Sequence, residues 1–213
     1  PGAKEVSSTV EIERIMGVIK KIKKSVPSAI ISVDTRKSIV AEKALEAGAS
    51  MVNDISAGSF DKEMFEVVAK HRAGICLMHS QGLPENMQNK PHYDEILLDL
   101  YDYFEEKIAE AQSTGIPREK IVIDPGLGFG KKLHHNLEII NKISLFLGLG
   151  LPVMIGISRK SFIGEIISER EPSERLIGSV AAMLTTLNRG VNIVRVHDVK
   201  EAVDAIKVWN ALN

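Results

Sequence analysis

Short apolar runs and longer amphipathic stretches alternate along almost the whole chain. The first amphipathic stretch covers residues 8 to 25, where Ile12, Ile15, Ile19 and Ile22 recur at helical spacing behind Ser8 or Thr9 as a cap. Lys20, Lys21, Lys23 and Lys24 near its end suit the helix dipole and read as a solvated face. A unit then repeats: an apolar run, a polar group, a helical pattern. The runs are Ala29 to Val33, Met51 to Val52, Gly74 to Met78, Ile121 to Ile123, Pro152 to Ile157 and Ile193 to Val196. They stop at Asp34-Thr35, Asn53-Asp54, His79, Asp124, Ser158-Arg159-Lys160 and His197-Asp198 respectively.

The intervening patterns predict helices whose inward residues can be named. One runs to about Ala47, and one from about Asp61 turns Met64, Phe65 and Val68 inward. After a polar loop at residues 80 to 92, Ile96, Leu97, Leu100, Phe104, Ile108 and Ala111 form the stripe of a long helix. A helix from about His134 to Leu147 would bury Leu137, Ile140 and Ile143. Beyond a short helix, Ser173 would cap one that buries Ile177, Val180, Ala181, Leu184 and Leu187, and the last helix would bury Val199, Val203, Ile206 and Trp209. Gly48, Gly74, Gly115 and Gly190 stand where left-handed C-caps are needed.

Strand and helix alternation with nearly all-apolar strands predicts a parallel sheet covered on both faces, either an open doubly wound sheet or a closed (β/α)8 barrel. The polar groups favour the barrel. They come from all six strand ends, and a ring of parallel strands points that many C-terminal ends at one centre. The chain opens on Pro1, with a helix and no strand ahead of it. The expectation is therefore an α/β chain holding the six C-terminal strands of a (β/α)8 TIM barrel, as one domain over residues 1–213, with the first two strands missing.

At 213 residues and 44% hydrophobic, the chain can bury one sizeable core. A formal net charge of -1 argues against charge-driven binding to nucleic acid or a membrane surface. A single cysteine, Cys76, excludes an internal disulfide framework and fits a reducing compartment, so a cytoplasmic location is expected. Cys76 lies in an apolar run and reads as a packed small hydrophobe. No apolar stretch is long enough to span a membrane.

Among the strand ends, the segment from Ile121 to Lys131 stands out: a carboxylate, Asp124, followed by a turn of proline and glycines that fits neither the Walker nor the dinucleotide spacing. Earlier strands offer Asp34, Asn53 and Asp124, acceptors that suit an N–H-rich heterocycle; later ones offer Lys160, Arg195 and His197, which suit a phosphate or pyrophosphate. Each has a plainer reading. Asp34 and Asp124 could be caps, Asn53-Asp54 a turn, His79 a packed histidine, Phe129 loop filling, Arg159 and Lys160 both solvated, and Lys131-Lys132 a solvated pair. Their joint occurrence at successive strand ends favours a site. His-x-His metal spacing is absent, which disfavours metal hydrolysis.

The segments Ile31-Ser-Val-Asp-Thr-Arg36, Val52-Asn-Asp54, Leu77-Met-His79, Ile123-Asp-Pro-Gly-Leu-Gly-Phe-Gly-Lys131, Gly156-Ile-Ser-Arg-Lys-Ser161 and Arg195-Val-His-Asp198 closely resemble the dihydropteroate synthase family, in order and at matching spacings. The resemblance covers essentially the whole chain. It implies a (β/α)8 barrel of folate synthesis, usually a homodimer and a sulfonamide target, which joins p-aminobenzoate to a dihydropterin pyrophosphate and expels pyrophosphate with Mg2+. It further implies that Asp34, Asn53, Asp124 and Lys160 bind the pterin, with Ile55, Met78, Phe129 and Gly156 around it. Arg195 and His197 would take the pyrophosphate, and Lys160, Ser161 and Phe129 would face p-aminobenzoate, with Asp124 and Lys160 central to catalysis. The family's Mg2+-holding loop precedes the first residue of this sequence, so no metal ligand is expected within it. For the same reason this chain is expected to bind pterin weakly and turn over poorly. Two rivals remain: a methyltetrahydrofolate-binding barrel of the corrinoid methyltransferase type, which has no pyrophosphate to hold, and a non-catalytic pterin-binding or interaction module.

Overall fold

A computed structural model describes residues 5–82, 85 and 87–213. Its six strands, β1 (Ser32–Asp34), β2 (Met51–Asp54), β3 (Gly74–Met78), β4 (Ile121–Asp124), β5 (Met154–Gly156) and β6 (Ile193–Arg195), are all parallel to their neighbours. β1 to β4 form one sheet in sequence order, β5 pairs with β6, and a parallel bridge between Ile123 and Val153 joins the two sets. Asp34 lies opposite Asn53, Met78 opposite Asp124, and Gly156 opposite Arg195, so the register brings the polar strand ends level. The helices are α1 (Ser8–Ser25), α2 (Ser38–Glu46), α3 (Met64–Lys70), α4 (Ile96–Ser113), α5 (Leu133–Asn141), α6 (Ser161–Ile166), α7 (Leu176–Leu187) and α8 (Val199–Leu212).

The apolar patterns hold best where an element has neighbours on every inward side. In α4 the buried residues are Ile96, Leu97, Leu100, Phe104, Ile108 and Ala111, the whole expected stripe. Phe104 stacks edge-on against Phe146 at the centre of a core that runs from β1 to β5. Cys76 is buried in that core, where burial pushes its thiol well above the usual range.

Elsewhere the stripes shift. β1 is three residues long and Ile30 is 86% exposed, so the apolar run ahead of Ser32 is not strand. The segment after Lys132 is a nine-residue helix followed by a 3-10 stretch, Ile143–Leu149. The two pieces bury Ile139, Ile140, Ile143 and Phe146, while Leu137 is exposed. α7 begins at Leu176 rather than behind Ser173, and it buries Ser179, Met183 and Thr186 while Ile177 is 83% exposed. α8 buries only Ala202, with Val199 and Val203 exposed, because a small residue lets the helix approach α7 closely. α1 is capped by Ser7, and of its expected stripe Ile19 is buried while Ile22 is exposed.

Gly48, Gly115 and Gly190 are left-handed C-caps with positive φ, but Gly74 opens β3 and Arg72 takes the left-handed position before it. In the turn after β4 the demand on glycine is stricter. A Cβ at Gly126 would stand 2.0 Å from the His79 carbonyl oxygen, and one at Gly130 would stand 2.4 Å from that of Gln81. By contrast, a Cβ at Gly115 would meet nothing within 4 Å. Gly115→Ala should therefore cost about 1–2 kcal/mol, the left-handed penalty alone, and Gly126→Ala distinctly more; urea denaturation of the two variants checks the order.

Candidate active site

The strand ends carry their groups into one polar depression. A cavity of about 300 Å3 is lined by Met78, Asp124, Gly126, Leu127, Phe129, Gly156, Ser158, Lys160, Arg195, Val196 and His197. That is the lower end of the size range for small-molecule sites. Of the residues expected at the site, it gathers Met78, Asp124, Phe129, Gly156, Lys160, Arg195 and His197. Asp34 and Asn53 lie beside it through Arg195, whereas half-buried Ile55 and exposed Ser161 do not line it.

Asp124 closes β4 at 4% exposure, and its Oδ1 accepts the Gly126 N–H at 2.8 Å. The turn-cap reading and the site reading are thus both true of it. Burial raises its pKa, while the Gly126 N–H and the charges of Lys160, Lys131 and Arg195 pull it back down. Lys160 sits 4.2 Å from the Phe129 ring centroid. Burial lowers its pKa to about 8, opposed by Asp124 and assisted by Arg195.

Asn53 is 3% exposed and donates its Nδ2 to Asp34 Oδ1 at 2.6 Å. Its Oδ1 is buried and, among the described residues, has no hydrogen-bond partner, an acceptor awaiting a donor. Asp54 supplies the turn: its carboxylate accepts from the N–H groups of Ser56 and Gly58 and from the Ser56 hydroxyl, and burial raises its pKa. Arg195 pairs through Nη2 with Asp34 Oδ2, so the group expected at the pyrophosphate and one expected at the heterocycle are joined directly, rather than standing on separate sides.

On the cationic side, Ser158 Oγ accepts the His197 backbone N–H at 3.3 Å and lies 3.1 Å from its ring Nδ1. Arg159 is half-buried rather than freely solvated. It donates through Nε and Nη2 to both oxygens of Asp198, and Ser179 Oγ accepts its backbone N–H. The turn between them is strained, with Arg159 at φ +60°. These contacts fasten the loops after β5 and β6 to each other. No single residue there announces this role; only the pairing of Arg159 with Asp198 across two strand ends would have hinted at it.

His79 is a packed histidine, as its plainer reading had it. Burial lowers its pKa to about 3, so the ring is neutral, and in the tautomer protonated at Nε2 its Nδ1 accepts from Lys131 Nζ at 3.0 Å. Lys131 departs from expectation, being 3% exposed rather than solvated. α5 starts two residues later, so of the adjacent lysines only Lys132 can face water.

A family model described as pterin binding enzyme matches residues 1–197. The dihydropteroate synthase of Escherichia coli (strain K12) is 41% identical over 211 residues, 99% of this chain and 74% of that protein. The crystal structure of the Yersinia pestis dihydropteroate synthase, a sulfonamide drug complex, superposes with a TM-score of 0.96 at 38% identity, over 100% of this chain and 76% of that one. The Xanthomonas albilineans dihydropteroate synthase, in complex with 7,8-dihydropteroate, gives a TM-score of 0.91 at 36% identity, over 98% of this chain and 78% of that one. The six parallel strands are thus part of a (β/α)8 barrel, and the chain belongs to the dihydropteroate synthase family of pterin-binding transferases.

Proposed function

We propose that the cavity holds a dihydropterin pyrophosphate and p-aminobenzoate with the division of labour that the family resemblance implies. The observation that carries this reading is the meeting of one buried acid, Asp124, with Lys160, Arg195 and His197 around a single cavity. The pterin would lie against Asp124, Met78, Phe129, Gly156 and Lys160, with Asp34 and Asn53 accepting from its N–H groups and Ile55 at the periphery. The unpartnered Asn53 Oδ1 supports this, since a buried acceptor without a donor is costly until a ligand supplies one. Arg195 and His197 would take the pyrophosphate, and Ser161, with Lys160 and Phe129, would border p-aminobenzoate at the mouth.

In the reaction, the aniline nitrogen attacks the pterin methylene carbon as the carbon–oxygen bond to pyrophosphate breaks. The leaving oxygen keeps that electron pair, and the nitrogen then releases a proton. Lys160, Arg195 and His197 offset the charge that gathers on the leaving group. Asp124 faces the opposite charge developing on the pterin ring. The nucleophile is uncharged at neutral pH, so ordering the partners is most of the remaining work.

Mg2+ belongs to this proposal as a companion of the pyrophosphate oxygens. Among the described residues no three His, Cys, Asp or Glu side chains gather as a metal cage, and no step is assigned to the ion. The chain is further proposed to act as one domain, supported by its continuous core, and as a cytoplasmic homodimer. Exposed Ile177, Val199, Val203, Val208 and Leu212 on α7 and α8 support the dimer. Among the described residues no helix is long and apolar enough to cross a membrane.

Calorimetry with the pterin pyrophosphate and with free pterin, each with and without Mg2+, tests the central reading: binding indifferent to the pyrophosphate would favour a methyltetrahydrofolate-type barrel or a non-catalytic module. Arg195→Ala should weaken the pyrophosphate ester by about 30-fold or more and free pterin far less; equal losses would refute its role. Lys160 carries its charge below its pKa of about 8. Affinity for the ester should therefore fall as pH rises through about 8, and Lys160→Met should abolish that fall in the same titration. Val203→Glu should shift the sedimentation coefficient from dimer to monomer.

A further inference from the structure

The lysine behind the cavity wall has an unusual set of partners. Lys131 Nζ meets His79 Nδ1 at 3.0 Å, the Phe129 carbonyl at 3.1 Å and the His79 carbonyl at 3.4 Å, one acceptor for each of its three protons. Among the described residues it has no carboxylate within ion-pair distance, although a buried ammonium is ordinarily paired with one. Its acceptors belong to two segments, the end of β3 and the turn after β4. The other face of that turn is the cavity wall at Gly126, Leu127 and Phe129.

We propose that Lys131 is a positioning residue for the pterin side of the cavity: its ammonium ties the 126–130 turn to the end of β3, without touching the ligand. The proposal rests on the assignment of Asp124 and Phe129 to the pterin. The turn is also held at Gly126 by Asp124 Oδ1, at Gly128 by Asn136 Oδ1 and the Gln88 side chain, and at Gly130 by the Tyr93 hydroxyl, so the Phe129 carbonyl is the point that depends on Lys131. The Phe129 ring in turn carries Lys160 on its face. Lys131 therefore bears on both charged groups at the heterocycle, Asp124 through its field and Lys160 through the aromatic wall.

The surroundings of the ammonium make this position sensitive to pH. It is faced by His79 at the end of β3, Tyr93 ahead of α4, Asp124 at the end of β4, Lys160 after β5 and His135 on α5. His79 stays neutral across the physiological range, and burial holds the Tyr93 hydroxyl in its protonated form. Burial brings Lys131 down to about 7, with Asp124 raising it and Lys160 lowering it further. The tie is complete below that pH and loosens as the proton leaves.

The test is calorimetry on the full chain with 6-hydroxymethylpterin and, separately, inorganic pyrophosphate. Lys131→Met, close in length but without donors or charge, should lose about tenfold or more in pterin affinity at pH 6 and less than about twofold for pyrophosphate. In the unsubstituted chain pterin affinity should fall as pH rises through about 7, and the variant should lack that step while keeping the later one of Lys160. If the unsubstituted chain fails to bind pterin, the reading of the cavity falls. If it binds and Lys131→Met binds equally well, or loses both ligands alike, the role of Lys131 falls. Should the variant not fold, lysine ε-carbon NMR of the unsubstituted chain decides. Linkage requires saturating pterin to move the titration near pH 7 upward, and an unmoved titration overturns the proposal.

Discussion

Three groups, Asp124, Lys131 and Lys160, share a buried region at the ends of β4 and β5, where the acid and each lysine favour one another's charged form while the two lysines repel. Burial disfavours the charged form of all three. The two lysines pull the acid back toward its anion, and the acid pulls each lysine back toward its cation. The local backbone follows from this balance. The glycines after Asp124 let the turn close down on the His79 carbonyl, and the same turn presents a second carbonyl, that of Phe129, to Lys131.

The cationic half is fixed by other means. Arg159 and Asp198 clamp the loops after β5 and β6, and Ser158 holds His197. Arg195 reaches across the open side of the strand arc to Asp34, from the last strand to the first. Its expected phosphate role and its present partner compete for one guanidinium. An anion that captured Arg195 would free Asp34 to accept elsewhere.

Much of this was legible in the chain. The strand ends and the α4 stripe follow from periodicity, and the acid and cation sets follow from what ends each strand. What was hidden has a common cause. Stripes failed at α7 and α8, where Ile177, Val199 and Val203 face outward while Ser179, Thr186 and Ala202 face in, because hydropathy ranks residues and not the closeness of helix packing. Lys131 was misread because a lysine beside a lysine suggests water, and only the start of α5 reveals which of the pair must turn inward. The Arg159–Asp198 clamp joins residues 39 positions apart, beyond the reach of any local pattern.

The level register of the strands has a consequence for how such a chain can change length. Asp34 opposite Asn53, and Met78 opposite Asp124, are fixed by counting residues along each strand. A single deletion within β4 would bring Pro125 to the place of Asp124 at the rim and set the carboxylate one residue back, on the opposite face. An inserted residue past the turn, in the stretch between β3 and α4, would leave every one of these alignments as it is. The site is thus stored as a phase along the strands, which a change of length outside them leaves intact.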